Sequence, residues 1–279
     1  MLLELAIGDA YGAGFEYADK RIILAHNNLS GYIQHPKHHL KPGSYTDDTQ
    51  MSIAIAEVIL SHQPWTPKVL AERFVHCFKR DQRKGYSQRF YQLLQQVQTG
   101  QELLERIEPD SDKSGAAMRS APLGIFPSAA EVIDKTIVQA AITHNTETGI
   151  YAAVAAALMS HYFLYEPGPK RELKDFLNDY VPGSWTNQWH GKVGSKGRMS
   201  VSAALTAVTT HDSLSKILKA CIDFSGDVDT VAAIALAAAS CCKEISSDLP
   251  KNLYEHLENG PYGREYLQKL DQQLLRIKK

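Results

Sequence analysis

The protein is a chain of 279 residues, of which 44% are hydrophobic and 22% are charged, and its formal net charge is -1 at pH 7. These values are ordinary for a soluble globular protein and provide ample apolar material for a large core. A nearly neutral chain has no overall field that would draw it to nucleic acid or to an anionic membrane. We therefore expect a protein that binds neither.

The four cysteines do not indicate a zinc site. They lie in apolar, helix-compatible runs and lack the paired spacing of zinc ligands: Cys77, Cys221, Cys241 and Cys242. Buried reduced thiols are typical of the cytoplasm. The first residues of the chain carry acids and no basic segment, a pattern that does not fit a signal peptide. We expect a cytoplasmic protein, and we take a monomer as its simplest state.

Helical periodicity dominates the chain from its start, where apolar residues between positions 1 and 13 recur at helical spacing. Gly100 is expected to divide a glutamine-rich helical stretch over residues 90–107. No stretch shows the alternation of a strand, so the chain predicts a single all-α domain over residues 1–279. Further helices are predicted over 51–60, 67–78, 114–119, 129–143, 146–165, 170–180, 200–209, 214–224, 231–242, 249–257 and 266–277.

Two polar clusters interrupt this pattern, and each stands directly before an apolar helix. The first is Ser44-Tyr45-Thr46-Asp47-Asp48-Thr49-Gln50, and the second is Ser225-Gly226-Asp227-Val228-Asp229-Thr230. Neighbouring side chains on a helix point about 100° apart, so we expect each pair of acids to share an ion only where its backbone is not yet helical. The alternative for the first cluster is a capped helix start with a spare acid.

Together the clusters offer four carboxylates and several hydroxyl groups, which are the hard oxygen ligands that magnesium and manganese prefer. If the clusters meet in space, four like charges would raise one another's pKa values and destabilise the fold. A pair of divalent cations would remove that repulsion, and two metal ions can orient and polarise a substrate for attack by water. The residues therefore predict a binuclear Mg²⁺ or Mn²⁺ centre and a hydrolytic reaction.

Four motifs, taken in order, resemble the ADP-ribosylglycohydrolase family. They are Gly8-Asp9-Ala10-x-Gly12 with Glu16, Thr46-Asp47-Asp48-Thr49, Gly115-Ala116-Ala117-Met118-Arg119, and Ser225-Gly226-Asp227-x-Asp229-Thr230. The resemblance covers most of the chain, and four motifs in order are far more specific than one. It implies an all-α, orthogonally packed fold with two magnesium or manganese ions.

The resemblance also implies roles for individual residues. The implied metal ligands are Thr46, Asp47, Asp48, Asp227, Asp229 and Thr230. Glu16 matches the family's acid beside the metals, and we expect it to carry the catalytic step together with Asp48 and Asp227. The implied substrate-binding residues are Glu16, Ser114, Gly115, Ala116, Ala117, Met118 and His144. Many members of the family have asparagine where this chain has Ser114.

The expected substrate is an ADP-ribosylated protein or a small ADP-ribose conjugate. The Gly115–Arg119 motif looks like the arginine-specific branch, so we expect cleavage of the bond to arginine through an oxocarbenium-like transition state, with a water oriented by Glu16 or an aspartate. Asp112 is a candidate for protonating the leaving guanidine. Serine-linked or small-molecule conjugates, a non-catalytic ADP-ribose-binding relative and a metal-dependent phosphohydrolase are the alternatives.

Overall fold

The computed structural model describes residues 1–37, 39–166 and 168–278. Within these residues the chain forms helices, and its only β-type pairings are isolated bridges, so the all-α fold class is confirmed. The α-helices are α1 (Leu2–Gly12), α2 (Lys20–His26), α3 (Asp47–Leu60), α4 (Pro67–Arg80), α5 (Gln88–Gln96), α6 (Gly100–Arg106), α7 (Ala129–Ala141), α8 (Glu147–Tyr165), α9 (Leu173–Tyr180), α10 (Gly197–Thr210), α11 (Leu214–Asp223), α12 (Val228–Ala239), α13 (Lys251–His256) and α14 (Arg264–Ile277). Short 3₁₀ helices cover Ser114–Ala116, Ala121–Ile125 and Lys170–Glu172.

Local sequence signals account for many of these boundaries. The Ser128 hydroxyl accepts a hydrogen bond from the backbone N–H of Glu131 at 3.2 Å, which satisfies an otherwise unpaired donor at the start of α7. The break at Gly100 is also confirmed, because α5 ends at Gln96 and α6 begins at Gly100. The stretch at 114–119 differs from its prediction, since it forms a 3₁₀ turn and not an α-helix.

Helix α12 is buried along its whole length, and α1, α8, α10 and α11 pack around it. Helix α1 lies directly on the α12 backbone because two glycines face it. A Cβ at Gly8 would lie 2.5 Å from the carbonyl oxygen of Ala232, and one at Gly12 would lie 2.3 Å from the Cα of Asp229. The absence of side chains at these positions therefore permits the contact, which sets α1 beside the start of α12.

Two further features concern the cysteine thiols and the hydropathy of the helices. The four cysteines are free, and burial raises the pKa of each thiol, so they are protonated at neutral pH. Within the described residues, no helix combines the length and apolar character that a bilayer span requires.

Candidate active site

The two polar clusters open two helices that face one cavity. Asp47 and Asp48 form the first turn of α3, with Thr46 as its N-cap, and Asp229 lies in the first turn of α12 after Asp227. The expectation of non-helical backbone is therefore wrong for Asp47, Asp48 and Asp229. The acids converge because the two helix starts lie next to each other at the cavity, and the positive end of each helix favours carboxylates there.

The loop before α12 is held by Val193. Ser225 and Gly226 adopt positive φ angles of 61° and 94°. The N–H of Val193 donates to the Ser225 carbonyl at 2.9 Å, and the N–H of Asp227 donates to the Val193 carbonyl at 3.2 Å. A Cβ at Gly226 would lie 1.8 Å from the Val193 oxygen, so only glycine fits. This turn directs the Asp227 carboxylate toward the cavity, where the Ser200 hydroxyl donates to it at 3.4 Å.

Asp9, on α1, forms hydrogen bonds with the start of α3. Its fully buried carboxylate accepts hydrogen bonds from the N–H and hydroxyl of Thr46, at 2.9 and 2.8 Å, and from the N–H and hydroxyl of Thr49, at 3.0 and 2.6 Å. Sequence reasoning quoted Asp9 within a motif but gave it no role. Its position on the apolar face of α1, in line with Leu5 and Ala6, is the signal that could have identified it.

Gly85 is the second positioning residue that sequence reasoning missed. It has a φ of 105°, and a Cβ there would lie 1.9 Å from the Asp47 Oδ1 atom. The preceding carbonyl, of Lys84, accepts a hydrogen bond from the N–H of Asp47 at 3.0 Å. The segment between α4 and α5 therefore lies against the acid cluster, a tertiary contact for which the local sequence carries no signal.

A cavity of about 860 Å³ runs from the acids to the 3₁₀ turn at Ser114, and its volume falls in the range of roughly 300–1,000 Å³ found for small-molecule sites. It brings together most of the predicted site residues: Glu16, Asp47, Asp48, Ser114, Gly115, Met118, His144, Asp227, Asp229 and Thr230. Thr46, Ala116 and Ala117 are buried beside the cavity and do not line it. The Thr46 hydroxyl donates to Asp9.

The acid cluster fits a divalent cation. The Oδ1 atoms of Asp48 and Asp229 are buried, and neither has a hydrogen-bond partner among the described residues. Carboxylate oxygens of Glu16, Asp227 and Asp229 lie within 4.8 Å of one another. Burial, and then repulsion between neighbouring carboxylates, raises the pKa values of Asp47, Asp48 and Asp229 well above their usual range. Cations bound among these oxygens would relieve both the unpaired atoms and the repulsion.

Glu16 lines the cavity next to the acids Asp227 and Asp229. It is half-buried, and burial, followed by repulsion from Asp227 and Asp9, raises its pKa to about 7. A carboxyl group with a pKa near neutrality can both accept and return a proton. A cation bound beside Glu16 would lower that pKa.

A second trio of potential ligands, Glu57, His76 and Cys77, has a different character. The Glu57 carboxylate is paired with Arg73 at 2.8 Å and with Arg80 at 2.5 Å. Two guanidinium groups already neutralise this acid and would repel an added cation, so the trio does not fit a metal site.

Asp112 and His144, which also line the cavity, have contrasting protonation. Asp112 is paired with Lys196 at 2.7 Å, and this hydrogen bond lowers its pKa. Asp112 is therefore ionised at neutral pH, which does not suit the proton donor that the sequence suggested. Burial, and then the nearby charge of Arg119, lowers the pKa of His144 to about 3, so its imidazole is neutral.

Named relatives match most of the chain. The ADP-ribosylarginine hydrolase Tri1 of Pseudomonas putida (strain GB-1) is 23% identical over 292 residues, covering 98% of this chain and 76% of that protein. The ADP-ribosyl-[dinitrogen reductase] glycohydrolase of Rhodospirillum rubrum is 26% identical over 268 residues, covering 92% of this chain and 88% of that protein. The chain spans about half the length of two further relatives, covering 52% of an Archaeoglobus fulgidus protein and 53% of the ADP-ribosylhydrolase ARH3 of Xenopus tropicalis.

The fold has a solved counterpart. A structure titled ADP-ribosylglycohydrolase-related protein complex superposes with a TM-score of 0.76 at 23% identity, covering 100% of this chain and 96% of that one. The model of the ADP-ribosylglycohydrolase family matches residues 1–279. These matches confirm the family that the four motifs suggested. The chain belongs to the ADP-ribosylglycohydrolase family.

Proposed function

We propose that the protein hydrolyses the glycosidic bond between ADP-ribose and a modified arginine side chain, and so reverses mono-ADP-ribosylation of a protein. The observation that carries this proposal is the cavity itself, which is lined both by the acid cluster at the starts of α3 and α12 and by Ser114 and His144. The relative named ADP-ribosylarginine hydrolase, which matches along 98% of the chain, supports the choice of arginine.

The cofactor is proposed to be a pair of Mg²⁺ or Mn²⁺ ions. The proposed ligands are Thr46, Asp47, Asp48, Asp227, Asp229 and Thr230. The Thr46 hydroxyl donates its proton to Asp9 at 2.8 Å. It would therefore contact an ion through a lone pair of its oxygen. When bound, the ions would neutralise the carboxylates and polarise the ribose hydroxyls next to the scissile bond.

The chain's own residues then account for the proton transfers. Glu16, within 4.8 Å of Asp227 and Asp229, is proposed to take a proton from the attacking water, while Asp48 and Asp227 orient that water. The substituted guanidinium of the substrate is cationic, so when its bond to the anomeric carbon breaks it departs as a neutral guanidine. The water oxygen forms the new bond to that carbon, and Glu16 returns the water's proton to the guanidine, because Asp112 is ionised and cannot supply one. The surrounding carboxylates favour the positive charge of an oxocarbenium-like transition state.

The part of the cavity around Ser114 and His144 is proposed to hold the rest of ADP-ribose. Ser114, Gly115, Met118 and His144 line it, with Ala116 and Ala117 buried behind. Gly115 has no side chain, so the His144 ring can pack against it. We further propose that residues 1–279 act as one catalytic domain, in the cytoplasm and as a monomer, without nucleic acid or membrane.

A panel of substrates tests the linkage. Proteins mono-ADP-ribosylated on arginine or on serine, and a small ADP-ribose conjugate, would each be incubated with the enzyme and Mg²⁺, and free ADP-ribose would be measured. Preferential release from arginine is expected. Release from the serine-linked substrate alone would show that the protein cleaves the serine linkage and not the arginine linkage. Binding of ADP-ribose without release from any substrate would indicate a non-catalytic relative, and release of inorganic phosphate a phosphohydrolase.

A further inference from the structure

Arg119 is a buried cation that the proposed reaction does not use. Its side chain is 1% exposed, and its guanidinium lies over the Phe74 ring at 4.6 Å. Among the described residues, no carboxylate forms an ion pair with it; its hydrogen bonds instead go to neutral oxygens of Gln139 and Thr143. Burial lowers the pKa of Arg119 to about 9, so it still carries its charge at neutral pH.

The contact with Thr143 constrains a hydroxyl proton. An Nη2–H of Arg119 donates to Thr143 Oγ1 at 2.8 Å, and the same Oγ1 lies 2.6 Å from the Nδ1 atom of His144. An arginine nitrogen can only donate, so Oγ1 accepts from Arg119 and its own single proton needs another acceptor. Within the described part of the chain, His144 Nδ1 is the partner recorded for it. On this ground we assign Thr143 as the donor and Nδ1 as the acceptor.

This arrangement settles which ring nitrogen of His144 carries the proton. The imidazole is neutral, so when Nδ1 accepts a hydrogen bond the proton must reside on Nε2. The ring packs against Gly115, where an added Cβ would lie 3.0 Å from Cε1 and 3.3 Å from Nε2. His144 lines the cavity, and no described residue accepts a hydrogen bond from Nε2.

We propose that Arg119, acting through Thr143, fixes the neutral tautomer of His144 in which Nε2–H serves as a hydrogen-bond donor to an oxygen of the bound ligand. Arg119 and Thr143 are positioning residues, and His144 is the group that touches the ligand. The ligand oxygen belongs to the phosphate or ribose groups of ADP-ribose, and that identity rests on the proposed function. The tautomer itself does not depend on it.

The tautomer can be measured without any substrate. Long-range ¹H–¹⁵N spectra of the protein labelled with ¹⁵N-histidine, with the His144 signal assigned from a His144→Gln variant, report which ring nitrogen is protonated. We expect Nε2 to carry the proton in the wild type, and the ring to stay neutral as the pH falls from 7 to 5. In Thr143→Val the unprotonated Nδ1 loses its hydrogen-bond donor, so its ¹⁵N signal should move downfield toward that of a free ring nitrogen, whereas Thr143→Ser should keep the wild-type pattern. A wild-type proton on Nδ1 would overturn the proposal.

Ligand binding supplies the second readout. Calorimetry with ADP-ribose and Mg²⁺ should show roughly tenfold weaker binding for Thr143→Val, while Thr143→Ser restores the affinity. Arg119→Met should weaken ADP-ribose binding to a similar extent. If this variant does not fold, the comparison of Thr143→Val with Thr143→Ser decides whether the proposal holds. Equal affinities for Thr143→Val and the wild type would also overturn the proposal. If the wild type does not bind ADP-ribose, the proposed function fails while the tautomer measurement still stands.

Discussion

The Asp9 carboxylate on α1 accepts two hydrogen bonds from Thr49 on α3, one from its N–H at 3.0 Å and one from its hydroxyl at 2.6 Å. Asp9 does not line the cavity. The orientation of the first turn of α3, and with it of Asp47 and Asp48, therefore depends on an acid that lies behind the site.

Replacing Asp9 with asparagine should weaken the metal site without destroying the fold. The asparagine NH₂ group cannot accept a hydrogen bond, so some of the donors on Thr46 and Thr49 that now bind the two carboxylate oxygens would lose their acceptor. We expect Mn²⁺ affinity, measured by titration calorimetry, to fall about 10–100-fold, and stability to fall by about 1–3 kcal/mol. Thr49→Ser keeps the hydroxyl and is the matched control. Unchanged Mn²⁺ binding in a folded Asp9→Asn variant would show that Asp9 does not position the ligands.

Gly85→Ala should displace Asp47, because the new Cβ would lie 1.9 Å from its Oδ1 atom. Gly191 is a suitable control, since it also has a positive φ, 88°, but a Cβ there would meet nothing within 4 Å. Gly191→Ala thus carries backbone strain alone, of about 1–3 kcal/mol. We expect Gly85→Ala to lose at least about tenfold in Mn²⁺ affinity, and Gly191→Ala to retain it. Similar Mn²⁺ affinities for the two variants would contradict the contact.

Gly12→Ala should destabilise the packing of α1 on α12. The added Cβ would lie 2.3 Å from the Cα of Asp229, a backbone atom that cannot rotate away. Overpacking of this kind costs about 1–3 kcal/mol, which urea unfolding would detect as a lower midpoint. Gly260→Ala, where a Cβ would meet nothing within 4 Å, should leave the midpoint nearly unchanged. A Gly12→Ala midpoint equal to that of Gly260→Ala would be inconsistent with the α1–α12 contact.

Glu57 makes a pH-dependent contribution to stability. Burial raises its pKa, but hydrogen bonds from Arg80 and Tyr266 outweigh this, so the pKa in the folded state lies below its ordinary value of 4.5. A depressed carboxyl pKa stabilises the fold above pH 4.5, and this contribution is lost as the pH falls through the folded-state pKa. Glu57→Gln should therefore cost about 3–5 kcal/mol at pH 7 and progressively less below pH 4.5.

The measurement for Glu57 is urea unfolding of the wild type and Glu57→Gln at pH 7 and at several values below 4.5. The difference between the two proteins removes the titration of all other groups they share. A difference that stayed constant, or grew, as the pH fell would rule out the assigned ion pair.

Sequence reasoning predicted the helical class and most helix positions because the periodicity of apolar residues is a local property. Most of the site residues that it named also line the cavity, since the acids of Thr46–Thr49 and Ser225–Thr230 are adjacent in the chain. It wrongly predicted non-helical backbone at Asp47, Asp48 and Asp229, because it assumed that the two acids of one segment must bind the same ion. In the fold, two separate helix starts lie next to each other, so acids on helical backbone can share a cavity.

The residues that sequence reasoning missed act across long separations. Gly85 meets Asp47 only through the packing of the α4–α5 segment on α3. Arg119 reaches Thr143 across 24 positions. Arg119 stands in the third motif, but the sequence names no partner for it or for Gly85, because each partner is set by tertiary packing. Asp9 is the exception, since an acid on the apolar face of α1 was visible in the sequence.

The most direct test of the account is release of free ADP-ribose from a protein mono-ADP-ribosylated on arginine, with Mg²⁺, with Mn²⁺ or with EDTA. The wild type and Asp48→Asn, which removes one charge at nearly constant shape, would be compared after circular dichroism confirms equal helicity. We predict release by the wild type with metal, none with EDTA, and near-complete loss in Asp48→Asn. Release that persists in EDTA, or full activity of a folded Asp48→Asn variant, would contradict the metal-dependent mechanism.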